Sequence, residues 1–215
     1  MSALKELIDQ IRIHPNLVGT QSIFCLRAFF DGWTFRKKPA VEDAYIDYLF
    51  LLWIKEKLAI RSTASVSWPS MICLVNTDEY DAFFHFFELF DVFYEDAKNA
   101  VYDEVPYARV EHYNHDSVVE LIAKIQLRPA MYLGQESFEL FASFLRGWYL
   151  RDPEGITDWH VMQGFDRWIR IRYPYFSEEI SWEKIIKYYS VGSMAGLSLF
   201  FEEYKDYCQT LKVIY

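Results

Sequence analysis

Three short stretches hold residue types that could do chemistry. "HYNHD", residues 112 to 116, brings His112, His115 and Asp116 within metal-ligand spacing. No third ligand there is fixed by a helix, so the stretch reads as a solvated loop. "GSMAG", Gly192 to Gly196, sets a serine among glycines. It lacks the Gly-x-Ser-x-Gly spacing of a nucleophile elbow and the Gly-Lys-Ser/Thr ending of a phosphate loop. Ser193 is instead expected to cap a helix. Glu88 and Glu202 each follow a Phe-Phe pair. Matched carboxylates suit acid–base work, but both fall on amphipathic helices that need a polar face. The sequence therefore offers no catalytic set, no metal ligands and no cofactor motif, and a non-enzyme is expected.

A fourth stretch, "RPAMYLG" from Arg128 to Gly134, is similar to the Arg-Pro-Gly-Met-Tyr-Ile-Gly segment of gyrase-type ATPase domains. Those domains also need a downstream Glu and Asn for the metal, and glycine-rich lid segments. Neither follows Gly134. The stretch has a twin, "HPNLVG" from His14, that keeps only the proline, an apolar pair and the glycine. What survives in both is helix punctuation. Proline ends the preceding helix, and glycine supplies the turn.

The twin belongs to a longer pattern. "ELIDQIRIHPNL" from Glu6 matches "ELIAKIQLRPAM" from Glu120. With Tyr132 as an insertion, Gly19 falls on Gly134, Ser22 on Ser137, Phe29 on Phe144, Gly32-Trp33 on Gly147-Trp148 and Arg36 on Arg151. Trp53-Ile54 falls on Trp168-Ile169. After a one-residue deletion, Ser67-Trp68 falls on Ser181-Trp182, Ile72 on Ile186 and Phe86-Phe87-Glu88 on Phe200-Phe201-Glu202. Order kept over such a length points to a tandem duplication. The expected units are residues 1–97 and 117–215, joined by an aromatic, acidic link over 98–116.

The elements that must position these residues are helices. Ile23, Leu26, Phe30 and Trp33 follow helical spacing, and Phe138, Phe141, Leu145 and Trp148 repeat it. "SVVE" from Ser117 is a capping box, and Pro69 suits a first helical turn. Helices are predicted over 3–13, 21–36, 41–59, 69–76 and 79–97, then 117–127, 136–150, 157–172, 182–190 and 193–211. The expected fold is all-α: two tandem similar helical units of about five helices each, packed into one compact body.

Composition narrows the function classes. Apolar residues make up 52% of 215 residues, which argues against disorder. Cys25, Cys73 and Cys208 are odd in number, and no Cys-x-x-Cys occurs. A disulfide framework or zinc site is not expected, and a reducing compartment fits. The charged N-terminus lacks a signal-peptide core, and no apolar run approaches a membrane span. The expectation is a cytoplasmic protein with no membrane contact. A net charge of −9 also disfavours direct nucleic-acid binding.

That charge is concentrated. Between Asp78 and Glu104 stand nine acidic residues against Lys98 alone. Asp81, Glu88 and Glu95 are seven apart, so they line one side of a helix, joined by Asp91, with His85 between them. Tyr102 and Tyr107 flank Asp103 and Glu104, as aromatic anchors flank charges at interfaces. Asp81, Glu88, Asp91, Glu95, Tyr102, Asp103, Glu104 and Tyr107 are the candidate partner-binding residues. A solubilising face is the plain alternative. The second copy does not repeat the excess, which favours a partner.

The order "RPAMYLG … GW … SW … FFEE" of the second copy, echoed in the first, resembles immunity proteins of contact-dependent growth-inhibition and related polymorphic toxin systems. The resemblance covers most of the chain and its motifs are structural. It implies stoichiometric binding to a cognate toxin domain, often a nuclease with a basic active-site cleft, which an acidic surface would engage. Another protein-interaction role remains open. So does a helical small-molecule-binding protein or enzyme with its pocket between the repeats.

Overall fold

The computed structural model describes residues 3–37, 45–61, 66–97, 116–177 and 179–214, the backbone alone at 45–47 and 212–214. Every regular element among them is helical. In chain order they are α1 (Ala3–Ile13), a 3₁₀ turn (Pro15–Leu17), α2 (Ile23–Arg36), a π turn (Tyr45–Phe50), α3 (Leu51–Lys57), α4 (Trp68–Cys73) and α5 (Glu79–Ala97). Then come α6 (Val118–Leu127), α7 (Pro129–Leu133), α8 (Phe138–Arg151), α9 (Trp159–Arg172), α10 (Trp182–Tyr189) and α11 (Ser193–Ile214).

Local chemistry explains most of the ends. Ser22, Ser117 and Ser137 are N-caps of α2, α6 and α8, their hydroxyls accepting from the amides of Phe24, Glu120 and Leu140. Pro69 and Pro129 each stand in the first turn of a helix, where the missing N–H costs nothing. Gly19 and Gly134 have φ of +102° and +77°, the left-handed region that only glycine enters freely.

Four expectations need correction. Pro15 and Pro129 do not merely stop helices: each starts a short new one. The helix expected over 41–59 opens, where it is described, as a π turn before α3. The helix expected to reach residue 76 ends at Cys73, because the Asn76 side chain donates to the Ile72 carbonyl at 2.7 Å and replaces the next helical bond. Ser193 is not the cap of α11 but its first residue. Gly192, at φ +90°, precedes it, and its carbonyl accepts from Gly196.

α2 and α8 form the centre, and their contact is the most extensive between any two described elements. They cross on glycine. A Cβ at Gly32 would stand 2.0 Å from the Phe144 carbonyl oxygen, and one at Gly147 would stand 1.9 Å from that of Phe29. The backbones approach too closely for any side chain. Beyond the crossing, the Arg36 guanidinium lies 4.5 Å from the Trp148 ring centre and the Arg151 guanidinium 3.7 Å from that of Trp33. Arg36 is almost fully buried and reaches Asp116 at 3.0 Å.

The core on either side is aromatic. Phe50, Trp68, Phe86, Phe90 and Phe93 pack on the side of α5. Phe138, Phe141, Phe165, Trp182 and Phe200 pack on the side of α11. One carboxylate ties elements across sequence: Asp158 accepts from the Val118 and Val119 amides at 2.7 and 3.2 Å and from the Ser117 hydroxyl at 2.6 Å. It thus serves the positive end of α6 rather than its own helix α9.

Candidate partner-binding surface

The acidic residues are displayed by α5. Asp78 opens it, its side chain accepting from the Asp81 amide at 2.9 Å. Glu79 and Asp81 sit in the first turn, where the helix dipole favours carboxylates. The inner side of α5 buries Ala82, Phe83, Phe86, Phe87, Leu89, Phe90 and Phe93. This dense packing fixes which side of α5 faces outward, and so which carboxylates solvent reaches.

Their surroundings differ. Asp81, Glu88 and Glu95 are solvent-exposed. Asp91 is drawn inward by α1: Arg12 Nη2 donates to its carboxylate at 2.7 Å and to the Phe87 carbonyl at 2.9 Å, and Lys5 Nζ lies 3.3 Å away. Glu79 accepts from the Ser22 hydroxyl, and Asp96 accepts from the Trp53 indole at 3.0 Å. The outward row is therefore Asp81, Glu88 and Glu95, with Asp91 committed to the α1–α5 contact. His85 is half-buried, its Nδ1 2.9 Å from the Asn76 amide nitrogen. The amide donates, so the ring proton resides on Nε2. Tyr102, Asp103, Glu104 and Tyr107, with the rest of the expected link up to residue 115, lie outside the described residues.

Exposed apolar residues flank the row. Val92 stands one turn from Glu88 and Glu95, Tyr80 is exposed in the first turn of α5, and Leu74 and Val75 are exposed in the segment that leads into it. The Tyr80 ring packs on Phe84 at 4.9 Å. A second exposed group lies at the far side of the sequence: Ile171, Tyr175, Tyr188, Val191 and Met194. There Tyr173 stacks on Tyr189 at 4.4 Å, and Phe176 meets Tyr188 edge-on. Tyr188 falls on the helix predicted over 182–190, but no sequence signal marked its exposure.

Two polar clusters support these surfaces. Glu203 is buried, accepting from the Tyr173 hydroxyl at 2.6 Å and pairing with Arg172 Nε at 2.8 Å. Burial, then the Glu203 carboxylate, pushes the Tyr173 phenol up to about 12. Glu139 sits at the α8–α10–α11 junction, with Lys187 Nζ at 3.2 Å. Burial opposes its ionisation, but hydrogen bonds from Ser193, its own backbone amide and Lys187 outweigh that and lower its pKa. Glu88 and Glu202, the matched carboxylates, are both exposed on separate helices, α5 and α11.

A cleft of about 450 Å³ lies between the end of α1 with its 3₁₀ turn and the outer side of α8. Ile13, Pro15, Leu17, Phe29 and Leu150 give it apolar walls, and His14, Asn16, Arg146 and Tyr149 a polar rim. Arg146 is held by Glu183, with Nε 3.0 Å from Oε1, and its Nη1 donates to the Asn16 carbonyl at 3.2 Å. Tyr149 packs on Trp159 at 4.3 Å. Among the described residues, no group of three or more His, Cys, Asp or Glu could hold a metal ion, and no helix is long and apolar enough to cross a membrane. No disulfide forms among them.

No family model matches this chain, and no curated protein and no solved structure matches it. The arrangement of residues alone carries the functional reading.

Proposed function

We propose that this chain is a protein-binding module, and within that class an immunity protein that neutralises a toxin domain with a basic surface. The observation that carries the reading is the outward row Asp81, Glu88 and Glu95 on α5, with Tyr80 and Val92 beside it. A packed helix presents these carboxylates on an already ordered backbone, and neighbouring apolar groups supply contact area. A basic nuclease cleft, which must attract phosphate, is complementary to such a row. The residues of the link, Tyr102, Asp103, Glu104 and Tyr107, extend the same acidic-aromatic character in sequence.

We read the chain as two tandem helical units, residues 1–97 and 117–215. The support is reciprocity. Gly32 meets Phe144 as Gly147 meets Phe29, and Arg36 covers Trp148 as Arg151 covers Trp33. Exchanging every residue for its counterpart in the sequence match turns each contact into the other. A second reading, small-molecule binding between the units, is favoured by the cleft at Ile13–Leu17 and α8.

The test is copurification of the full chain from its source cell with a toxin domain encoded beside it, followed by association kinetics against salt. The expected result is a one-to-one complex whose association slows when Asp81→Asn, Glu88→Gln and Glu95→Gln are combined. An unchanged association rate and full protection from the toxin in that variant would refute the α5 surface.

A further inference from the structure

The cleft and the region around Tyr132 differ in an informative way. In the second unit, the turn after α6 carries Tyr132, and its ring meets Phe35 of α2 edge-on at 5.6 Å, with Phe144 a further 5.8 Å from Phe35. In the sequence match, Phe144 corresponds to Phe29 and Phe35 to Leu150, both cleft-lining residues. The first unit's turn is one residue shorter and has no counterpart of Tyr132, the inserted residue. The Tyr132–Phe35 ring pair thus has only Leu150, the counterpart of Phe35, on the other side. The cleft is lined there by Phe29 and Leu150, the counterparts of the two rings nearest Tyr132.

We propose that the cleft receives the ring of a tyrosine side chain presented by a partner protein, seated as Tyr132 is seated against Phe35. The inference rests on the reading of the chain as two tandem units. The walls fit a flat apolar body: Phe29 is fully buried at the floor, and Leu17 and Leu150 are half-buried at the sides. The rim fits a phenolic oxygen, since His14, Asn16 and Tyr149 add polar groups to the apolar walls, with Arg146 held at the edge by Glu183 and the Asn16 carbonyl. Apolar clefts of this size with few convergent polar groups are how proteins hold aromatic anchors.

The source is a protein because α1 joins the cleft to the acidic helix α5. Ile13 and His14 follow directly on Arg12, whose guanidinium holds Asp91 of α5. Ile13 is 70% exposed at that rim, which offers apolar contact to the surface surrounding an inserted ring. A partner resting on Asp81, Glu88 and Glu95 can extend across α1 to the cleft.

The experiment titrates the full chain with p-cresol, the tyrosine side chain alone, and with N-acetyl-L-tyrosinamide, observing methyl resonances of Ile13, Leu17 and Leu150. Both probes are expected to shift those resonances, and Leu150→Phe or Leu17→Phe, which fill the space, to abolish the shifts while the chain stays folded. Two fillings guard against one failing to fold. Absence of shifts, or shifts retained in both filled variants, overturns the proposal. Response to p-cresol without response to N-acetyl-L-tyrosinamide also overturns it and makes a small free phenol the occupant. Tyr132→Ala separates this from the tandem reading, since it should open a second p-cresol site beside Phe35. Binding at the cleft with no second site in that variant would leave the ring-binding cleft standing and refute the equivalence of the two units.

Discussion

Placing a methyl group at Gly32 tests the centre of the fold. In Gly32→Ala the new Cβ meets the Phe144 carbonyl oxygen at 2.0 Å, and in Gly147→Ala it meets the Phe29 oxygen at 1.9 Å. Ordinary carbon–oxygen contact begins near about 3.3 Å, so the helices must separate by roughly 1.3 Å. The obstacle is backbone, which no rotamer change removes. A gap of about 0.5–1 Å already forfeits a quarter to a half of a contact's dispersion energy, and here the whole α2–α8 seam opens. Overpacking at its upper range costs about 3 kcal/mol, against about 1 kcal/mol gained when alanine replaces glycine in a helix. The net loss is about 2 kcal/mol or more. For a chain of this size that lowers Tm by about 4–8 °C, read by thermal or urea unfolding. Combining both substitutions should cost less than their sum, because the first separation makes room for the second methyl. Gly155→Ala is the control: its Cβ would meet the Asp152 carboxylate at 2.3 Å and Arg36 Nη2 at 3.1 Å, side-chain ends rather than backbone, and the loss should stay below about 1 kcal/mol. A Gly32→Ala or Gly147→Ala protein as stable as the parent would refute the glycine crossing.

Arg36→Ala should destabilise by about 2–3 kcal/mol, since it empties a buried site and removes the guanidinium from over Trp148, while the exposed Asp116 carboxylate returns to water. The half-exposed Arg151→Ala should cost about 1 kcal/mol, and tryptophan fluorescence with urea unfolding distinguishes the two. On α5, Asp91→Asn should lower stability by about 1 kcal/mol or less through the lost Arg12 pair, while Asp81→Asn and Glu88→Gln should stay within about 0.5 kcal/mol of the parent. An equal loss at all three would contradict the division between inward and outward carboxylates. Tyr173, raised from 10.0 to about 12, should lose stability with alkali. Below pH 10 both states keep the proton; between 10 and about 12 the unfolded phenol ionises first, so stability falls across that window. Tyr173→Phe should remove that part of the fall, measured by unfolding at stepped pH.

Local signals in the sequence specified the helices because their causes lie within a few residues. Serine hydroxyls at Ser22, Ser117 and Ser137 bond amides two or three residues on, and apolar spacing marked the inner side of α5 and of α8. The acid-rich character of α5 was legible for the same reason. Which acids face outward was not. Asp91 lies in the same helical row as its neighbours, and only the arrival of α1 from far along the chain brings Arg12 and Lys5 onto it. Asp158 likewise sits at the start of one helix and caps another. The cleft and the glycine crossing are products of two helices meeting, so no single stretch encodes either. The sequence marked Gly32 and Gly147 as a matched pair. Only the tertiary structure sets each against the other helix's backbone, because that distance depends on how α2 and α8 pack.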